Sequence, residues 1–317
     1  MILLTGATGF VGGALFDALK NKSVRCLGRQ NPSKTTKSSF YQSEINADTD
    51  FAVALQDTNV LIHCAARVHI MDDSATDPLE AFREVNTYGT LNLAQQAANA
   101  GLKRFIFLSS VKVNGESTKP DLPFRPDDQF IPTDPYGLSK YEAEVGLREI
   151  AAKTGMEVVI IRPPLVYGPG VKANFASMMK WVNRGLPVPL GGIKSNKRSL
   201  VSVDNLVDLI VTCIDHPNAA NQTFMVSDDD DVSTSQLLAN IATALGVPNR
   251  LLPIPGTWFT LTAKLMGKTT IAQRLCGSLQ VDISKTKEML NWQPPCSSAE
   301  SMNKTADAFL ATLSLYK

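Results

Sequence analysis

Tyr136 and Lys140 stand four residues apart in Tyr136-Gly137-Leu138-Ser139-Lys140. Pro135, just before them, suits the start of a helix. On a helix that spacing sends both side chains from one face, one turn apart. A phenol beside an ammonium makes an acid–base pair: the positive charge favours the phenolate and pulls a group that titrates near pH ~10 toward neutrality. Such a pair also arises by chance on exposed helices, so it gains meaning only if the elements around it build a site. Two further hydroxyls, Ser109 and Ser110, end the apolar run Lys103–Leu108. That run reads as a strand, and ligands bind at the carboxyl edge of an open parallel sheet.

The elements that position these groups begin at the first residue. Met1–Thr5 is a short apolar run, followed by Gly6-Ala7-Thr8-Gly9-Phe10-Val11-Gly12 and a helical pattern through Val11, Leu15, Ala18 and Leu19. Strand, glycine turn and helix in that order describe a dinucleotide site. Gly6 permits the turn, Gly9 lets backbone amides approach a pyrophosphate, Gly12 lets helix and strand pack closely, and the helix N-terminus faces the phosphates. Val24–Leu27 reads as the second strand. It is followed by Gly28-Arg29, with Lys34 and Lys37 beyond, and by no carboxylate for a ribose hydroxyl. A guanidinium there suits a 2′-phosphate, which leans toward NADP(H) over NAD.

Phe40–Ile45 is the expected third strand, ending with Glu44 and Ile45 near the adenine. Val60–His63 is the fourth, and Cys64-Ala65-Ala66 is a small-residue turn along which a cofactor can lie. His63 reads as a packed strand-end histidine, and His69, Asp72 and Asp73 as a solvated loop. Pro78 opens a helix through Ala100 that carries Asn86. Glu116–Pro135, rich in Pro and Asp, is a loop leading into the Tyr136 helix. Glu157–Arg162 is a β-branched strand closed by Pro163-Pro164 and the turn Tyr167-Gly168-Pro169-Gly170. About six strand–helix alternations predict an α/β, doubly wound parallel sheet.

After about residue 170 the rhythm changes. The pattern predicts a helix near 175–184, short strands near 187–190 and 199–201, a helix near 204–215 and a strand near 223–226. Asp228–Asp231 reads as a solvated turn capping a Ser233–Leu245 helix. Trp258–Met266 and Ile271–Leu275 are apolar helical segments packed within a small lobe, and Ala299–Leu313 is a last amphipathic helix. The division is residues 1–170 and 171–317, interleaved and without a flexible linker. A formal net charge of +1 implies no nucleic-acid or anionic-membrane partner. Five scattered cysteines and three histidines outline no disulfide framework and no metal site. With no apolar run of about 18 residues, neither a signal peptide nor a membrane span is expected, and the expected compartment is the cytoplasm.

The ordered set of the Thr5–Gly12 turn, Asn86 with Gly89-Thr90, Ser109-Ser110, Tyr136-x-x-x-Lys140, and Arg162-Pro163 with Tyr167-Gly168-Pro169-Gly170 resembles the extended short-chain dehydrogenase/reductase superfamily, in its nucleotide-sugar epimerase/dehydratase branch. The resemblance covers nearly the whole chain. It implies a Rossmann-like sheet with a smaller mixed α/β C-terminal lobe that grips a UDP-sugar. By position it implies that Tyr136 takes or gives the proton, that Ser110 orients the reacting oxygen, and that Lys140 lowers the tyrosine's pKa and holds the nicotinamide ribose. Gly6, Gly9, Phe10, Val11, Gly12, Arg29, Glu44, Ile45, Ala65, Ala66, Asn86, Ser109 and Pro163 would line the cofactor. Lys112, Asn174, Phe175 and Arg198 would touch substrate, the last neutralising the diphosphate.

Where the branch's 4,6-dehydratases resemble Thr-Asp-Glu, this chain has Ser110-Val111-Lys112, which excludes dehydration. Leu165 replaces a substrate-contacting Asn of several relatives. Around Ser109–Glu116, Lys172–Phe175 and Gly277–Asp282 the chain looks most like bacterial enzymes of surface-polysaccharide sugar synthesis. Those include UDP-N-acetylhexosamine 4-epimerases and reductases of UDP-4-keto-6-deoxy-N-acetylhexosamine. Gly28-Arg29 favours the NADPH-using 4-keto reductase. The alternative is a 4-epimerase of UDP-glucose or UDP-N-acetylglucosamine with tightly bound NAD. More remote are a 4-epimerase of a lipid-pyrophosphate sugar and a non-catalytic NADP(H)-binding sensor. Relatives often dimerise through two long helices, here about 78–100 and 135–153, so a homodimer is expected.

Overall fold

Nearly every side chain of the first strand, β1 (Ile2–Thr5), is buried, and so are those of most strands beside it. The computed structural model describes residues 1–32, 39–68, 77–119, 121–258, 273 and 275–314. Lys34, Lys37, His69, Asp72, Asp73 and most of the apolar stretches near 258–266 and 271–275 lie outside the described residues.

The remaining strands are β2 (Val24–Gly28), β3 (Ser39–Gln42), β4 (Val60–His63), β5 (Arg104–Leu108), β6 (Glu157–Arg162), β7 (Leu165–Tyr167), β8 (Leu200–Ser202) and β9 (Thr223–Met225). Seven of them form one sheet in the order β3-β2-β1-β4-β5-β6-β9, every described pair parallel. Continuous apolar runs such as Val158–Ile161 fit this arrangement, because a parallel sheet is covered by helices on both faces. β3 ends at Gln42, three residues short of the expected Ile45; Ser43 still bonds back to Gly28, and the chain then turns away.

The helices are α1 (Phe10–Ala18), α2 (Ala52–Leu55), α3 (Pro78–Arg83), α4 (Thr90–Asn99), α5 (Pro135–Thr154), α6 (Ala173–Asn183), α7 (Val203–Asp215) and α8 (Thr234–Ala244). Two further helices span Ser284–Leu290 and Ser298–Ser314. Leu15 and Phe16 of α1 and Leu206, Leu209 and Ile210 of α7 share a core on one sheet face. Leu93 and Ala97 of α4 and Ala143 and Leu147 of α5 fill the other. The sheet is thus doubly wound, and it draws β9 and α7 from beyond residue 170.

The smaller lobe packs α6, α8 and the Ser298–Ser314 helix around Phe175, Met179, Leu238, Ile241 and Met302. The parallel pair β7–β8 adjoins this core through Tyr167 and Leu200. The predicted strand near 187–190 is reduced to one bridge, Val188 with Leu251, because the prolines at 187 and 189 deny it a ladder. The acidic run also departs from expectation. Asp228 is buried and accepts from the Tyr167 hydroxyl at 2.7 Å, the Ser202 amide at 2.8 Å and Asn205 Nδ2 at 2.7 Å. Asp231 accepts from Ser199 and Gln280. Ser233 caps α8 itself, through the Gln236 amide. Half of the run is therefore interior wiring between segments.

Candidate active site

The glycine turn is as tight as its residues allow. Gly6 adopts φ +73°, and a Cβ there would lie 2.7 Å from the Ala65 amide nitrogen. A Cβ on Gly12 would lie 2.1 Å from the Gly6 carbonyl oxygen. These approaches seat the start of α1 on the end of β1, with Gly9 as a helix cap that has no side chain to satisfy the first amides. The amides of Phe10, Val11 and Gly12, in the first helical turn, are then available to an anion. This cradle fits a dinucleotide pyrophosphate.

Beneath it, the buried Thr5 hydroxyl bonds the Ala65 amide at 3.1 Å and His63 Nδ1 at 2.8 Å, and His63 Nε2 meets Thr90 at 3.0 Å. Burial and then Lys140 push His63 down to about 3, so it is a neutral packing residue, stacked on Phe107. Ala65 and Ala66 follow β4, and the Ala65 backbone lies against Gly6. Arg29 lies exposed past β2, Glu44 is exposed, and Ile45 is buried against the backbone of Gly89.

α5 begins where Pro135 and its cap predict. Asp134 Oδ2 accepts from the Gly137 amide at 2.9 Å. Tyr136 sits in the first turn with its ring edge-on to Phe82 and 6.0 Å from the Lys112 ammonium. Ser110 caps the short turn Val111–Val113, accepting from the Lys112 amide at 3.2 Å. The Pro163 carbonyl accepts from the Val111 amide at 3.0 Å and ties this turn to the end of β6. Ser110, Tyr136 and Lys140 therefore converge at the carboxyl edge of β5.

The electrostatics differ from the spacing argument. Burial, then Asp134, push Tyr136 up to about 12, against an opposing contribution from the Ser110 hydrogen bond. Lys140 is 1% exposed; its ammonium donates to the Leu108 carbonyl at 3.0 Å and lies 4.3 Å from the Phe107 ring centre. Burial lowers it to about 8, with Cys64 and Glu144 acting in the other direction. The ammonium is thus held by the sheet edge, where it does not depress the phenol.

Other expected contacts are spent inside. Ser109 donates to Glu144 Oε1 at 2.6 Å. Fully buried Asn86 accepts from the Arg67 amide at 2.8 Å and donates to the Arg67 carbonyl at 3.0 Å and to Ser139 Oγ at 3.1 Å. It lies in a π-helical segment, Glu84–Gly89, between α3 and α4. Both side chains are thus hydrogen-bonded to protein groups beside the strand end. Lys112 holds Asp134 at 3.0 Å and Glu116 at 3.4 Å. Phe175, expected against substrate, is 1% exposed and stacks on Tyr167 within the small-lobe core, since an aromatic at that place in α6 completes the core. Asn174 is exposed at the start of α6. Arg198 is half-buried, with its pKa lowered by that burial, and its Nη1 donates to the Gly277 carbonyl at 3.2 Å.

Sequence reasoning missed the group that organises the floor. Glu144 is fully buried and pairs with Arg162 through two contacts, at 2.8 and 2.5 Å, and with Arg148 at 2.8 Å. Arg162 also donates to Asn114 Oδ1 at 2.9 Å. Burial acts to raise the Glu144 pKa, and Arg162, Ser109 and Arg148 outweigh it, holding the carboxyl below its ordinary range. The available signal was its spacing: Tyr136, Lys140 and Glu144 recur every four residues along one face.

Comparison with known proteins places this geometry in context. Residues 2–227 match the NAD dependent epimerase/dehydratase family. The chain is 55% identical to a UDP-glucose 4-epimerase of Vibrio cholerae, over 98% of this chain and 95% of that protein. It is 29% identical to N-acetyl-alpha-D-glucosaminyl-diphospho-ditrans,octacis-undecaprenol 4-epimerase of Escherichia coli O157:H7, over 90% of this chain and 88% of that one. Among solved structures, a UDP-glucuronic acid 4-epimerase from Bacillus cereus in complex with NAD shares the fold, with TM-score 0.79 and 21% identity over 100% of this chain and 99% of that one.

Proposed function

We propose that this chain, which belongs to the NAD dependent epimerase/dehydratase family, is a 4-epimerase that inverts C4 of a UDP-hexose using bound NAD. The observation that carries this reading is the 55% identity, along nearly the full length, with a UDP-glucose 4-epimerase. That likeness favours the epimerase over the 4-keto reductase to which Gly28-Arg29 pointed, and NAD over NADP(H). Arg29 then faces the adenosine end of the cofactor from its exposed place after β2.

The residues fit the chemistry. The Gly6–Gly12 turn, with Phe10 and Val11 at the head of α1, would hold the pyrophosphate; Ile45, Ala65 and Ala66 would border the adenosine and ribose. NAD, when bound, accepts a hydride from C4 and returns it. Tyr136 takes the proton of the 4-hydroxyl as the ketone forms and gives it back when the ketone is reduced from the other face. Ser110 hydrogen-bonds the same oxygen and keeps it within reach of the phenol. Lys140, lowered to about 8, still carries its charge at neutral pH and, one helical turn from the phenol, would hold the nicotinamide ribose. Asn174 and Arg198 would meet the UDP diphosphate from the small lobe. A homodimer through α3–α4 and α5, whose exposed surface includes Tyr88 and Val145, belongs to the same proposal.

The test is to purify the protein without added nucleotide and supply UDP-galactose. Formation of UDP-glucose with no added cofactor, and release of about one NAD per chain on denaturation, are expected. Tyr136→Phe should lose roughly 100-fold or more of the turnover and keep its NAD. A protein that releases no nucleotide, leaves UDP-galactose untouched and reduces a UDP-4-keto sugar only with NADPH would replace this reading with the reductase.

A further inference from the structure

The near-zero net charge hides a segregation. The chain balances 31 basic residues against 30 acidic ones. Yet residues 172–203 and 232–258, which build one side of the small lobe, hold seven of the basic residues and no Asp or Glu. Lys197 is paired with Asp121, and Arg198 is half-buried. Lys180, Arg184 and Arg250 are exposed and form no ion pair with a described residue.

Large apolar side chains stand among these cations. Trp181 is 54% exposed, Leu186 45%, Leu252 45% and Trp258 67%. Backbone pairing brings Leu186, Arg250 and Leu252 to one edge. Val188 N–H donates to the Arg250 carbonyl at 3.0 Å, and Leu252 N–H to the Val188 carbonyl at 2.8 Å. Arg250 Nη1 reaches the Gly185 carbonyl at 2.9 Å. The last turns of α6 supply Lys180 and Trp181, and Arg184 follows directly. An exposed tryptophan and two exposed leucines side by side, rimmed by cations, mark an interaction surface. Aromatic rings with Lys and Arg beside them suit the headgroup layer of a bilayer, where the ring is half-immersed and the cation meets lipid phosphate.

We propose that this edge of the small lobe docks peripherally on an anionic lipid surface. Both halves of the patch are needed. Electrostatic attraction brings the lobe to anionic lipid, and Trp181, Leu186 and Leu252 hold it at the interface. A nucleic acid would use the cations and would gain little from Leu186 and Leu252. Trp292, the third tryptophan, is 5% exposed and donates to Asp208, so it stays out of the contact.

The experiment uses the full chain with vesicles of phosphatidylcholine alone or with one-third phosphatidylglycerol. Co-sedimentation and a blue shift of tryptophan fluorescence are expected with the anionic vesicles only, and added salt should weaken both. Each cation at such a surface is worth roughly fivefold in partitioning. The variant K180Q/R184Q/R250Q should therefore bind on the order of 100-fold more weakly while turning over a UDP-sugar as the parent does. W181S, which removes one anchor and leaves every cation, should lose the larger part of the blue shift. Equal partitioning of parent and triple variant, no preference for anionic vesicles, or binding to a single-stranded oligonucleotide without binding to vesicles would each overturn the proposal.

Discussion

Glu144→Gln removes a buried carboxylate beneath the candidate active site and leaves its shape. The carboxylate is fully buried, and Arg162, its main partner, is 4% exposed. Two contacts join them, at 2.8 and 2.5 Å, with Ser109 and Arg148 completing the shell. Removing one member of a buried pair leaves the other charge uncompensated, at about 3–5 kcal/mol. For a chain of this size each kcal/mol lowers the melting temperature by roughly 2 °C, so a fall of about 6–10 °C is expected at pH 7 by circular dichroism.

The loss should depend on pH. The folded carboxyl is held below its ordinary range. Its stabilising contribution is complete above the unfolded value near ~4.3 and disappears as pH falls through the folded one. Parent and variant should therefore differ fully at pH 7 and converge in the acid limb. Replacing both residues, as E144M/R162M, should recover part of the loss, because no buried charge is then stranded. A fall under about 2 °C for E144Q, or a gap that does not narrow in acid, would refute the view that this pair supports the floor of the site.

Two further outcomes follow from measured approaches. Gly12→Ala must move α1 away from β1, since its Cβ would stand 2.1 Å from the Gly6 carbonyl oxygen; a loss of roughly 1–3 kcal/mol by urea unfolding is expected, together with less nucleotide retained per chain. Asp228→Asn turns an acceptor of three donors into a group that is itself a donor on one side, so about 1–3 kcal/mol should be lost by the same measurement. Burial holds the Asp228 pKa above its ordinary value, so the parent's stability from this group falls as pH rises through that acid range; D228N should lack that slope.

Much of the fold is legible because parallel strands covered on both faces carry unbroken apolar runs. Val60–His63 and Glu157–Arg162 occupy the expected residues, and the Gly6–Gly12 turn and the Pro135 helix start fall where local chemistry puts them. What was not legible is direction. Asn86, Ser109 and Phe175 stand at positions where a polar or aromatic side chain reads as a ligand contact, and each points inward instead: to the Arg67 backbone, to Glu144, to Tyr167. Only the packing of π-turn, sheet and small lobe around them decides that.

The same holds for Tyr136 and Lys140. Their spacing gives a common helix face, but burial and then Asp134 both raise the tyrosine, and the Lys140 charge is turned to the strand end instead. Carried one turn further, the spacing leads to Glu144. A single stripe of α5 thus runs from a phenol at the open edge, through an ammonium held by the strand end, to a carboxylate locked on Arg162. The buried acid favours the charged form of Lys140, and Arg162 keeps that acid ionised. The charge on Lys140 is therefore supported from the closed end of the helix, four residues away.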